Sequence, residues 1–315
     1  MTTMIDRIAN WDAAWSTRFP IRLTKKQKDQ FRQELESELH KLNFDTERIT
    51  VRKLFRCINV VTKCENPQVI FMAHYDTPGI IPFWFSWLFR LIGHTRQITA
   101  MIVLISLLIG PSLLPISDNF VTLFHLFIII TFLMLLIPNP HNREDNTSGV
   151  IGLMAVASWL KEYPDLQKQV QLVFTDNEEL GLLGAAGLRK HWQKQGYPYE
   201  EAAIINLDCI SRGKTPLLIY HKDDRAAQKL LPYLQKHLPA IQQINMNVVA
   251  LSDNYVFRKE GAVNISYANP TLIPGGFYIP KIHTPADNDF DAKKLYPLIQ
   301  ALTDFLKENG SMVII

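Results

Sequence analysis

Residues 171–181 read QLVFTDNEELG and place two adjacent carboxylates, Glu178 and Glu179, directly after an apolar run. Residues 171–175 have the β-branched and aromatic content of a short buried strand, and Asp176-Asn177 supplies the turn chemistry that ends it. Neighbouring residues in an extended or turning segment point different ways, so the pair can divide the work. One carboxylate can bind a cation while the other faces a reacting group. Glu-Glu pairs are also common on solvated surfaces, and the pair alone does not choose between the two readings.

Other apolar runs in the chain finish in the same residue types. Residues 67–73 (PQVIFMA) lead into His74-Tyr75-Asp76, whose His and Asp lie on one side of an extended segment. Residues 202–207 end at Asp208, the polar loop 142–149 carries Asp145, and a late loop carries His283 and Asp287. In an open α/β sheet the carboxyl ends of the strands share one edge, where ligands bind. These sequence-distant acids and imidazoles are therefore expected to converge.

Taken in order, the elements resemble the M28 family of zinc aminopeptidases. They are His74-x-Asp76, Asp145-Asn146-x-Ser148-Gly149, Glu178-Glu179, Asn206-Leu207-Asp208 and His283-Thr284-x-x-Asp287, with Ser252-Asp253 and Phe257 as a sixth, and the resemblance covers roughly residues 45–79 and 138–308. It implies two zinc ions bridged by Asp145, with His74 and Asp208 completing one site and Glu179 and His283 the other. Glu178 would be the general base, Asp76 would orient His74, and the peptide bond between Asp145 and Asn146 would be cis. Zinc accepts imidazole and carboxylate ligands and leaves a position open for water in catalytic sites. The implied activity is removal of N-terminal residues from peptides, with the free amino group held at one metal; the uncharged segments between residues 80 and 137 add either membrane-associated peptides as substrates or an anchor alone.

Two rival readings remain open. A glutaminyl-cyclase-like acyltransferase would use one zinc, and the presence of both His74 and Asp208 speaks for two. A non-catalytic membrane scaffold on the same fold is opposed by the complete set of ligand and base positions. Asp287 reads as a helix-start or loop-fixing carboxylate, Asp253 as structural and Cys209 as packing. A donor for a tetrahedral oxyanion is expected, with Tyr75, Tyr255, Tyr267 and Tyr278 as unranked candidates. His94, His141, His191, His221 and His237 have no second motif residue nearby and read as surface or core histidines.

The elements that would position these groups follow from hydrophobic periodicity. Strands alternating with helices predict an α/β protein with a mostly parallel mixed sheet and helices on both faces, similar to zinc exopeptidases. Helices are predicted over 25–42, 147–161, 182–193, 223–237 and 291–308. Besides the strands already placed, one or two are expected within 47–61, and others at 216–221, 245–251 and 262–268. Near the N-terminus, Met4, Ile8, Trp11 and Trp15 form one helical stripe, which fits either packing on the chain's own domain or lying at a membrane surface.

The composition bounds the remaining classes. A net charge of +3 over 315 residues gives no case for nucleic acid. Three cysteines without C-x-x-C spacing favour a reducing compartment, and the first 22 residues carry charges in place of a signal peptide's apolar core. Between residues 80 and 137 the composition shifts. Segments 98–116 and 120–137 hold no charged residue, and each would extend roughly 27–29 Å as a helix, about the thickness of a hydrocarbon core. They predict a transmembrane hairpin in the lipid bilayer, inserted between residues 1–79 and 138–315 of one catalytic α/β domain, with 80–91 as an interfacial segment. Arg90, Arg96 and Arg143 flank the hairpin while its tip, Ser117-Asp118-Asn119, has no positive charge. That bias predicts a cell-membrane protein whose catalytic domain is cytoplasmic. The sequence does not specify an oligomeric state.

Overall fold

The computed structural model describes residues 3–52, 54–94, 117–246 and 252–311, together with 99, 102, 103, 105, 106, 109, 110 and 112. Two helices precede the first strand, α1 (Met4–Arg18) and α2 (Lys25–Lys41), and each starts at a threonine capping box, Thr3 with Asp6 and Thr24 with Gln27. Ile8 and Trp15 of α1 and Phe31, Leu35 and Leu39 of α2 are fully buried in the main core. The Trp-bearing stripe therefore packs on its own domain, with Met4 and Trp11 set against the same core.

The strands are β1 (Thr46–Arg52), β2 (Arg56–Thr62), β3 (Val69–His74), β4 (Val170–Thr175), β5 (Ala203–Leu207), β6 (Thr215–Tyr220), β7 (Gln242–Asn245), β8 (Val263–Pro270) and β9 (Phe277–Tyr278). They form one sheet in the order β1-β2-β4-β3-β5-β8-β6-β7, with β9 paired to β8. The central run β4-β3-β5-β8 is parallel, as is β6-β7; β1-β2, β2-β4, β6-β8 and β8-β9 are antiparallel. The sheet is thus mixed as expected but not mostly parallel, since short hairpin and edge pairings surround the parallel centre. The strand expected at 245–251 is instead β7, ending at Asn245, and residues 247–251 lie outside those described.

Alternation along the strands feeds two cores. Phe71 and Ala73 of β3 face the larger one, shared with α1, α2, α5 (Gly149–Leu160) and α8 (Ala292–Ser311), while Ile70 and Met72 face a second core with Ala185, Leu188 and Trp192 of α6 (Leu183–Gln195). Between β6 and β7 runs α7 (Arg225–His237), whose Leu230 and Leu234 join the larger core. The register pairs His74 with Thr175 and Leu207 with Ile265, so β3, β4 and β5 all end on the same edge.

The inserted segment leaves and rejoins the fold at one point on that edge. Gly79 bridges Pro138, and Ile80 N donates to Ile137 O at 2.9 Å. Glycine is required at this closure, because a Cβ at Gly79 would lie 1.9 Å from Leu135 O. From there α3 (Phe83–Ile92) runs along the 271–273 loop, where Leu272 and Ile273 donate to Arg90 O and Leu91 O. Helix α4 (Asp118–Leu133) presents Leu123, Phe127 and Ile130 outward. Over Asn119–Leu136 its mean hydropathy is 2.3 with 12% of the window buried, and it is the one described helix long and apolar enough to cross a membrane. The first expected span, 98–116, falls largely outside the described residues.

Candidate metal centre

His74 is the last residue of β3, and Asp145, Glu178, Glu179, Asp208 and His283 gather around it at the shared strand edge. The two oxygens of Asp145 face opposite ways. His74 Nε2 lies 3.2 Å from Asp145 Oδ1 and 3.7 Å from Asp208 Oδ1, whereas His283 Nε2 lies 2.9 Å from Asp145 Oδ2 and 3.5 Å from Glu179 Oε2. Tetrahedral zinc with bonds of about 2.0–2.1 Å separates its ligand atoms by roughly 3.3 Å, so both halves have the spacing of a metal's first shell. Neither ring nitrogen of buried His74 makes a hydrogen bond, and neither does Glu179 Oε1. Buried polar atoms normally have partners, and a cation at each half would supply one to His74 Nε2 and one to Glu179 Oε1, while His74 Nδ1 faces Asp76.

Among the described residues, ligand atoms mutually within 4.8 Å form three groups, His74-Asp145-Glu179, His74-Glu178-Asp208 and Asp145-Asp208-Cys209. Two of these depart from the sequence reading. Glu178, expected to be a base, stands as close to His74 and Asp208 as a ligand would. Cys209, expected to be packing, lies in the third group, with its Sγ 3.2 Å from Asp208 Oδ1; burial holds its thiol well above the ordinary range, so it sits there as a neutral donor.

The concentration of carboxylates sets the electrostatics. Burial pushes Glu178 and Glu179 well above the usual carboxylate range, with neighbouring acids adding to it. Burial opposes charge on His74 and His283 as well. Even so, Glu178 and other carboxylates raise His74 well above its ordinary value, and Asp145 raises His283. Against the same burial, His283 and His74 hold Asp145 low. Protons thus offset the negative charge in the absence of a cation, and a bound metal would displace them.

Loops and helices beyond the motifs fix the donors in place. The carboxylate of Asp76 accepts from Glu178 N at 3.1 Å and Glu179 N at 3.3 Å, and its Oδ1 lies 3.5 Å from His74 Nδ1. Beyond standing beside His74 as expected, it therefore pins the glutamate turn. Asp287 is loop-fixing as expected, accepting from Glu144 N and Asp145 N. The Asp145–Asn146 peptide is cis, also as expected. Thr175 Oγ1 donates to Asp253, consistent with its reading as structural.

Three buried cations from the N-terminal helices and their connection brace this edge, and local sequence carries no signal for them. Arg22 donates to Tyr75 O, Asn142 Oδ1 and Thr147 Oγ1, tying the end of β3 to the loop that carries Asp145. Lys28 donates to Asp176 Oδ1 at 2.7 Å and to Asn177 Oδ1, just before the glutamate pair. Arg32 donates to the Tyr75 hydroxyl, which in turn donates to Ile58 O.

Comparison with known proteins bears on this geometry in two ways. Residues 143–296 match the model of Peptidase family M28. The M28 match takes in Asp145, Glu178, Glu179, Asp208 and His283 and leaves out His74 and Asp76. No curated protein matches the chain in sequence. Among solved structures, the fold is similar to that of the Legionella pneumophila LapA aminopeptidase (15% identity, TM-score 0.63, 96% of this chain and 69% of that one). It is also similar to a glutaminyl cyclase of Porphyromonas gingivalis (15%, 0.64, 97% and 98%) and a Zn-dependent exopeptidase of Parabacteroides distasonis (14%, 0.60, 96% and 96%).

The centre opens into a cavity of about 410 Å³ lined also by Ile81, Phe89, His94, Leu135, Ile279 and Ile282. Much of this wall lies outside the M28 match, because the inserted segment contributes Ile81, Phe89, His94 and Leu135. None of the four tyrosines considered as oxyanion donors lines it: Tyr75 is fully buried beneath β3, and Tyr255 stands against His221. His94, read from sequence as an ordinary histidine, does line it. Burial lowers its imidazole to about 3, with His283 adding to the effect, so the ring is neutral.

Proposed function

We propose that the chain is a membrane-anchored, zinc-dependent aminopeptidase that binds two zinc ions through His74, Asp145, Glu179, Asp208 and His283. The observation that carries this reading is the division of Asp145, whose oxygens face His74 with Asp208 on one side and His283 with Glu179 on the other. Zinc bound there would polarise a scissile carbonyl and make a water molecule acidic near neutral pH. Glu178 accepts a proton from the attacking water as its oxygen bonds to the carbonyl carbon. As the C–N bond breaks, Glu178 returns that proton to the leaving amine. Asp76 holds the turn that sets the Glu178 backbone and stands against His74.

A glutaminyl-cyclase-like acyl transfer is the second reading, favoured by the likeness to the Porphyromonas gingivalis enzyme, nearly all of whose length the chain covers. The two separate in one experiment. Detergent-purified full chain is assayed for zinc per chain and against aminoacyl anilides and N-terminal glutamine peptides. Two zinc ions with hydrolysis of aminoacyl substrates are expected. One zinc with ammonia release from N-terminal glutamine would replace the first reading by the second, and a zinc-loaded chain inert towards both would overturn each.

The membrane part of the proposal rests on the outward apolar face of α4 and the uncharged segment before it. The arginine bias described above supports a zinc domain on the cytoplasmic side. The full chain is expected to stay in the pellet on alkaline extraction, and a protease added outside sealed cells is expected to leave the zinc domain whole. Complete release into the alkaline supernatant overturns the anchoring, and cleavage of the domain from outside overturns the orientation.

A further inference from the structure

The proposed hydrolysis builds negative charge on the carbonyl oxygen, and an enzyme gains most from a fixed donor aimed at that charge. Among the described residues, most polar side chains lining the cavity are carboxylates or imidazoles placed as metal ligands, and Cys209 already donates to Asp208. His94 is the exception. Its Nδ1 accepts from Ile279 N at 3.1 Å, which leaves the ring proton on Nε2. The ring stacks on Phe89 with centroids 4.2 Å apart and an interplanar angle of 5°. Backbone on one edge and an aromatic face on the other thus fix both its tautomer and its plane. No described residue accepts from Nε2.

We propose that His94, carried into the zinc cavity by the inserted segment, donates its Nε2–H to the substrate carbonyl oxygen and stabilises the oxyanion that develops there. The inference rests on the hydrolase reading above and extends it by giving the insertion a part in the chemistry. A neutral imidazole with one fixed N–H suits this role, since it adds a donor without adding a positive charge that would compete with the metals. Tyr75 and Tyr255 are held elsewhere, and Tyr278 lines the neighbouring cavity on the far side of the wall that His94 shares. The return of the chain at Gly79 and Pro138 keeps α3 and His94 over the strand edge.

The test compares His94→Phe, which keeps a ring on Phe89 but removes the donor, with His94→Gln, which restores an N–H. Full-length zinc-loaded proteins are assayed for zinc per chain, for kcat and KM on an aminoacyl anilide, and for binding of the phosphonic acid analogue of leucine, a tetrahedral anion. His94→Phe is expected to lower kcat about 10²-fold with KM and zinc content little changed, and to weaken phosphonate binding by a similar factor. His94→Gln is expected to recover most of both losses. Unchanged kcat and phosphonate binding in His94→Phe overturns the proposal, as does zinc loss in both variants, which would make His94 a support of the metal site. If the wild-type chain hydrolyses no aminoacyl substrate, the hydrolase reading fails by itself. The phosphonate arm then decides for His94, with a loss restored by glutamine supporting the donor and equal binding refuting it.

Discussion

Glu178→Gln is expected to lower turnover by about 10²–10⁴-fold, the usual contribution of a positioned general base, while zinc per chain stays unchanged. Glutamine has the same shape, and the backbone contact of residue 178 with Asp76 Oδ1 survives the change. What is lost is the ability to take up a proton. The test is sharp because Glu178 lies within ligand distance of His74 and Asp208. As a ligand, its replacement by an amide would cost metal. As a base, it would not, and removal of the nearby charge that most raises His74 would favour the neutral imidazole a metal needs. Zinc content and kcat measured on one preparation therefore separate the roles, and undiminished turnover would sink the base assignment.

His74, the glutamate pair and Asp208 were legible in sequence because each sits where a strand pattern gives way to turn chemistry, whereas Asp145 and His283 lie in loops and were found through the resemblance of their motifs. β3, β4 and β5 end within a residue of His74, Thr175 and Asp208, and hydrophobic period together with turn residues locates such boundaries well. The supports were not legible. Arg22 lies in the connection FPIRLT, and Lys28 and Arg32 lie in a charged helix, yet all three are buried against β3 and the β4 turn. A long-range ion pair has no local spacing to betray it. Removing one partner of a buried pair such as Lys28–Asp176 typically costs about 3–5 kcal/mol, so this pair links the integrity of the second N-terminal helix to the geometry of the centre. His94 was missed for a related reason. It has no motif neighbour and reaches the cavity only because the insertion folds back on the edge it left. The strand direction was misjudged where edge pairing decides: the flanking strands satisfy their backbone by antiparallel pairing, and a helix–strand count from sequence cannot see which partner they choose.

Asp145→Ala is expected to take zinc from two ions per chain towards none, a larger loss than replacement of any other single ligand. The reason lies in its two oxygens. One faces His74 and Asp208 and the other faces His283 and Glu179, so a single truncation removes a donor from both halves. The truncation also leaves the carboxylates Glu178, Glu179 and Asp208 crowded about two imidazoles without their central partner. The surrounding loop has independent support: Asp287 receives the backbone amides of residues 144 and 145, and Arg22 holds Asn142 and Thr147. Loss of metal can thus be read without loss of fold, with circular dichroism as the control. Asp208→Ala supplies the contrast. It should weaken the half containing His74 and leave the half containing His283 and Glu179 able to bind one ion. Metal analysis after dialysis against a weak chelator distinguishes the cases, and an Asp145→Ala protein that keeps one zinc at undiminished affinity would show that the carboxylate serves a single ion.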